Sequence, residues 1–214
     1  MSKRPHPVIQ SGLLLGIIAL LGTALLAGVN DLTHDRIVEQ EKRRMLQQLN
    51  EIVPVASYNN DLLADVIRIE DPDFFRHPAP VTIYRARMNG QSASVMMIVT
   101  APDGYNGDIR LLVGINATGT ILGVRVISHR ETPGLGDPIE AEKSDWIHGF
   151  TQKSLQAPEP GSWAVKKDGG EFDQFTGATI SPRAVVRAVK TTLLYFKANK
   201  QALFEPLPIA GVPE

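Results

Sequence analysis

Apolar residues fall along this chain in three rhythms. The first is an unbroken run: from Ser11 to Val29 nearly every residue is apolar or small, and Pro5 to Asn30 contains no Asp, Glu, Lys or Arg. A hydrocarbon layer about 30 Å thick takes about 20 such residues as helix. A cleaved signal peptide has an apolar stretch of only about 7–15 residues and ends in small ones. Here the run is longer, and a leucine of Ala24-Leu25-Leu26-Ala27-Gly28 falls inside any Ala-x-Ala frame. The run reads as a retained transmembrane helix. Its flanks leave the orientation open. Lys3 and Arg4 precede it, and Arg36, Lys42, Arg43 and Arg44 follow it. A bare count of basic residues places the main domain in the cytoplasm, but long domains translocate largely regardless of charge. Beyond the run, Asp31, Asp35, Glu39 and Glu41 interleave with the bases. Met45, Leu49 and Ile52 form a short apolar stripe, as in a helical stalk that Pro54 ends.

The second rhythm is alternation. Val81–Met88 and Ser94–Thr100 flank Asn89-Gly90, the strongest short signal for a hairpin turn. Ile109–Ile115 and Thr120–Ser128 follow, joined by Asn116-Ala117-Thr118-Gly119, and Val66–Ile69 is a possible further strand. Short turns between strands imply an antiparallel meander with one face to be covered. The third rhythm is helical: Val185, Val189 and Leu193, with Val186 and Leu194 beside them, recur every three to four residues. Ser181 suits an N-cap and Pro182 a first helical position, so a helix is expected from Pro182, covering the sheet. Residues 139–155, anchored by Trp146, Ile147 and Phe150, also read as helix. Trp163–Val165 reads as a short strand. The fold class expected is α+β: one N-terminal transmembrane helix, then an antiparallel sheet covered by helices.

Composition narrows the chemistry. The chain has 214 residues, 21% of them charged, and a net charge of -1, so no global field invites nucleic acid. The absence of cysteine excludes disulfides, iron–sulfur clusters, thiolate zinc sites and attached c-type haem. Five scattered histidines make no two-histidine helical motif, and no metal is expected. No Gly-x-Ser-x-Gly elbow supports a hydrolase.

Two stretches hold candidate chemistry. One is Asp173-Gln174-Phe175-Thr176-Gly177-Ala178-Thr179, just before the last helix. Gly177 and Ala178 remove bulk beside Thr179. The N–H groups of a helix start, with the dipole, favour a phosphate there. The dipole supplies only about 0.3–1 kcal/mol at an exposed site, and Thr179 read alone fits an ordinary loop hydroxyl as well. The other is His129-Arg130-Glu131-Thr132-Pro133-Gly134-Leu135-Gly136-Asp137, a polar loop at a strand end. It is not a dinucleotide fingerprint, since the third glycine would fall at Ile139. Alone, it fits a plain strand-to-helix turn.

Together these stretches resemble a known family. With the N-terminal span and Gly104-Tyr105-Asn106-Gly107, they are similar to the G subunits of Rnf (Rsx) ion-translocating electron-transport complexes. More broadly they resemble the FMN-binding domain shared with the C subunit of the Na+-translocating NADH:quinone reductase. The resemblance covers nearly the whole chain. It implies FMN joined by a phosphoester to Thr179, with Asp173, Thr176, Gly177, Ala178 and Thr179 recognised by a flavin transferase. It also implies other subunits of a membrane complex as partners, no nucleic acid, and an electron relay linked to ferredoxin and NAD. For the flavin ring the candidate seat is Glu131, Thr132, Gly134, Leu135 and Gly136, beside Thr176, Gly177 and Ala178. The implied layout is a cytoplasmic N-terminus (1–8), transmembrane helix (9–29), helical stalk (30–54), FMN-binding domain (55–203) and tail (204–214). The cell site implied is the bacterial inner membrane, with the main domain periplasmic. The rival readings are the quinone reductase's C subunit and a non-redox membrane-tethered binding or assembly module.

Overall fold

The computed structural model describes residues 7–205. The expected N-terminal segment 1–8 and tail 204–214 therefore fall mostly outside the described residues. Contacts divide the chain into two units, Met1–Met45 and Leu46–Glu214. A helix, α1, runs from Pro7 to Ile52 without a break between the apolar run and the charged stretch after it. Its most apolar window has a mean hydropathy of 2.4 and no buried residue. Leu20 is 72% exposed and Leu26 73%. Among the described residues this is the one helix long and apolar enough to cross a membrane.

The second unit is built on a five-stranded antiparallel meander: β1 (Val66–Ile69), β2 (Val81–Met88), β3 (Gln91–Gly104), β4 (Gly107–Asn116) and β5 (Ile121–Ser128), in that order. A single helical turn, α2 (Pro72–Phe75), links β1 to β2; the Asp71 carboxylate caps it by accepting from Phe74 N–H. Asn89 and Gly90 both have positive φ (52° and 79°), as the expected two-residue hairpin requires. The row Ile67, Ile83, Met97, Val113 and Val124 lies on one face. It packs against helix α3 (Ile180–Phe204) through Val185, Val189, Leu193 and Phe196. The neighbouring row, Val66, Tyr84, Met96, Gly114 and Gly123, points to the other face. There the last turn of α1 and the residue after it take over: Leu49, Ile52 and Val53 are buried, and a Cβ on Gly114 or Gly123 would meet Ile52. The sheet is thus buried on both faces, and the stripe at Leu49 and Ile52 is the reason.

The C-terminal end of α3 is held as firmly. Asp65 pairs with buried Arg85 and with Arg87. These two guanidiniums donate to the Phe204 and Glu205 carbonyls. Cations at unpaired helix carbonyls complement the dipole.

Three expectations change. Residues 139–155 are not an α-helix but two short 3-10 turns, Asp137–Ile139 and Asp145–Phe150. Glu140 is extended between them (φ -74°, ψ 139°), and the Ser144 hydroxyl opens the second by accepting from Trp146 N–H. Trp163–Val165 forms no strand, only a single bridge from Val165 to Phe172. Helix α3 starts at Ile180, two residues before Pro182.

Gly114 supplies a stability test. Gly114→Ala drives a methyl into Ile52 and should cost about 1–3 kcal/mol. Ile52→Ala in the same chain should return part of that loss. Urea unfolding of the four-member mutant cycle measures the coupling; strictly additive losses would refute the contact.

Candidate functional site

Three segments far apart in sequence meet at one end of the sheet: the β3–β4 hairpin tip, the loop after β5, and the start of α3. Glu131 joins them. Its carboxylate accepts from the backbone N–H groups of Tyr105 (3.3 Å) and Asn106 (3.1 Å) and from the Ser181 hydroxyl. Asn106 also donates through Nδ2 to the Thr132 hydroxyl at 3.0 Å. The Glu131 side is tight. A Cβ on Gly136 would lie 2.7 Å from Ser181 Oγ and 2.9 Å from Glu131 Oε2. One on Gly104 would lie 2.9 Å from Glu131 Oε1. Both glycines are required by space.

The loop carries its own braces. His129 accepts the Glu131 N–H at Nδ1 (2.9 Å), so its ring proton is on Nε2 and faces Glu140 at 2.6 Å. Buried Asp137 accepts the N–H of Gly134 (2.6 Å), whose φ is +77°. Leu135 and Gly136 each donate back to the Thr132 carbonyl. The loop is a closed turn of fixed shape.

The segment before α3 is fastened from the opposite side. Trp146 donates from its indole to the Asp173 carbonyl at 2.8 Å and packs edge-on against Phe175. Lys166 pairs with the Asp173 carboxylate at 2.6 Å. Ala178 N–H closes a turn onto the Phe175 carbonyl, with Gly177 at φ +80°. Thr179 occupies the N-cap position, yet with helical angles (φ -79°, ψ -25°) and no capping hydrogen bond. Threonine at this place ordinarily bonds an orphan N–H; here the hydroxyl is left free of that task. Close by, Arg183 holds Asp168 through two bonds (2.6 and 2.8 Å). That hydrogen-bonded guanidinium keeps the Asp168 carboxyl below its ordinary value. The pair therefore contributes fully above the ordinary carboxyl value, and the contribution fades as pH falls through the lowered one.

Between these segments lies a cleft of about 360 Å³, inside the usual range of about 300–1,000 Å³ for small-molecule sites. Glu131, Thr132, Leu135, Gly136, Gly177, Ala178 and Thr179 all line it. Leu135 and Ile180 are 48% and 42% exposed, giving it apolar walls. Of the expected site residues, Gly134, Thr176 and Asp173 are not in the lining; they shape or flank the turns. The sequence reading missed Tyr105, Ile180 and Ser181 as lining residues. Gly104-Tyr105-Asn106-Gly107 was visible as a motif, but nothing local tells that its N–H groups serve a glutamate in another loop.

Comparison with known proteins assigns the chain. Residues 104–194 match the FMN-binding domain family, and residues 1–52 match the RnfG N-terminal region. The G subunit of the ion-translocating oxidoreductase complex of Pseudomonas aeruginosa PAO1 is 49% identical over 204 residues, 95% of each chain. The protein of the same description from Shewanella loihica is 48% identical over 196 residues, 92% of each chain. That of Pseudoalteromonas atlantica is 45% identical over 197 residues, again 92% of each. This chain belongs to the family of G subunits of ion-translocating oxidoreductase complexes. Every residue lining the cleft falls inside the FMN-binding match. The cleft also fits such a ligand chemically: it has apolar walls for a flat ring, and its lining includes a threonine that makes no capping bond. In this member of the family, α1 is the membrane anchor.

The Ser181 hydroxyl tests the strut. Ser181→Ala leaves a buried carboxylate short of one donor and should cost about 1–3 kcal/mol. The midpoint of urea unfolding should fall accordingly; an unchanged midpoint would show that the Glu131–Ser181 bond contributes nothing.

Proposed function

We propose that this chain is the flavin-bearing anchor of an Rnf-type ion-translocating oxidoreductase complex, with FMN esterified through its phosphate to Thr179. The observation that supports this best is the Thr179 hydroxyl: it stands at a helix start, free of capping, in the wall of a cleft within an FMN-binding domain. A flavin transferase would join the threonine oxygen to the FMN phosphorus of FAD. The pyrophosphate bond breaks, AMP leaves and the hydroxyl proton is released. Asp173, Thr176, Gly177 and Ala178 form the recognition stretch. Asp173 and Thr176 are exposed and open to a visiting enzyme.

When bound, FMN supplies one- and two-electron chemistry, which can join a two-electron donor to one-electron carriers. The chain's own residues hold and orient it. Leu135 and Ile180 offer apolar contact for the ring, the turns at Gly134 and Gly177 let backbone come close, and α3 presents its N-terminus to the phosphate. The protein relays electrons within the complex and turns over no substrate alone. The match of residues 1–52 to the RnfG N-terminal region favours this reading over the C subunit of the sodium-pumping quinone reductase. The visible absorbance of a flavin in protein made alongside the transferase separates it from a non-redox tethering module.

Thr179→Val should give a folded chain without flavin, and Thr179→Ser, which keeps a hydroxyl, partial loading. Ultraviolet fluorescence of denaturing gels reads both; a glowing Thr179→Val band would falsify the attachment site. We place the main domain in the periplasm. The chain has no cysteine, so a single Lys197→Cys is a clean probe. A membrane-impermeant maleimide should label it in spheroplasts before lysis; labelling only after lysis reverses the orientation.

A further inference from the structure

The sign of the charge in the cleft is wrong for a free phosphate. Among the described residues its lining holds one acidic side chain, Glu131, and no Lys, Arg or His. Glu131 is 5% exposed, and its oxygens are held by Tyr105 N–H, Asn106 N–H and the Ser181 hydroxyl, so it cannot swing out to water. Two basic residues flanking the Thr179 segment are engaged, Lys166 with Asp173 and Arg183 with Asp168, and Arg130, next to Glu131 in the chain, is exposed and outside the lining. A second buried acid, Asp137, lies in the same loop. Among the described residues the cation that pairs with it, Lys143, stands 3.8 Å away.

The helix start pulls the other way, but with less charge. A helix N-terminus amounts to roughly +0.5 of an elementary charge. The Glu131 carboxylate, bonded to the second residue of that helix, carries a full negative one. A free phosphate monoester brings about -1.5 to -2 at neutral pH. Esterified to a threonine it is a diester with a single charge, and its repulsion by the carboxylate falls by about half.

We propose that Glu131 is a specificity determinant that excludes free phosphate monoesters, FMN among them, and reserves the cleft for a flavin tethered through Thr179. This rests on the reading of the cleft as the flavin seat. The covalent bond then does more than reinforce a tight site. It supplies an effective concentration in the millimolar range, enough to fill a seat whose charge turns the free cofactor away.

The test uses full-length Thr179→Val in detergent, which cannot be esterified, titrated with riboflavin and with FMN by quenching of flavin fluorescence. Riboflavin lacks the phosphate and should bind at least about tenfold more tightly than FMN. Adding Glu131→Gln should shift the ratio of the two affinities about tenfold towards FMN, whatever it does to both ligands alike. The methyl ester of the FMN phosphate gives a second measurement with Glu131 in place. A diester carrying one charge, it should bind more tightly than FMN and less tightly than riboflavin. FMN binding more tightly than riboflavin, a Glu131→Gln effect equal on both ligands, or a methyl ester that binds no better than FMN overturns the charge filter and leaves the seat standing. If riboflavin binds under none of these conditions, the cleft is not a flavin seat and the filter falls with it.

Discussion

A carboxylate buried where three chain segments meet governs the geometry of this domain's working end. Burying a charge is costly unless its oxygens are fully bonded. Glu131 meets that condition only when the β3–β4 tip, its own loop and the start of α3 are all in position. The arrangement is therefore close to all-or-none. It also bears on two glycines in distant motifs. Gly136, in the loop after β5, leaves the space that Ser181 and Glu131 fill, and Gly104, at the hairpin tip, leaves room for a Glu131 oxygen as well as for the Gly107 carbonyl of its own hairpin. The two motifs read as separate signatures along the chain; in space they are two sides of the same side chain.

The strut works because its supports are fixed. Helix α3 is laid against the sheet by Val185, Val189 and Leu193, and its far end is tied to Arg85 and Arg87. On the opposite face the last turn of α1 fills the space that Gly114 and Gly123 leave. The hairpin tip inherits its place from the ladder between β3 and β4. Small shifts at the start of α3 would have to move the core, so Thr179 is presented on rigid elements.

What the sequence disclosed and what it hid divide along a physical line. Patterns set by local backbone preference were legible: the Asn89-Gly90 turn, the alternation in β2 and the period of α3 all have their cause within a few residues. So was the stripe at Leu49 and Ile52, because burial imposes spacing. The stretch 139–155 misled because Ile147 and Phe150 are buried by short 3-10 turns, which bury residues at intervals that resemble a helix. Ser181 misled for a different reason. It has the composition of a cap, but its hydroxyl donates to Glu131 instead of accepting from the helix, a partner 50 residues away in sequence. Tyr105 and Ile180 were missed likewise, because the cleft exists only once the segments converge. The individual loops were readable; their meeting was not.

The start of α3 shows how function displaces a stabilising role. A threonine that caps a helix contributes about 0.5–2 kcal/mol, and Thr179 stands where that contribution is available without making it. With helical angles it makes no bond to the backbone N–H groups it could have served. The support comes instead from the second residue of the helix, Ser181, through its bond to Glu131. Stabilisation has moved two positions along the chain, and the residue it released lines the cleft. The same displacement puts a negative charge beside a helix N-terminus, where it satisfies the dipole from within the protein. A site arranged in this way does not need to attract a phosphate; it needs only to leave one oxygen uncommitted.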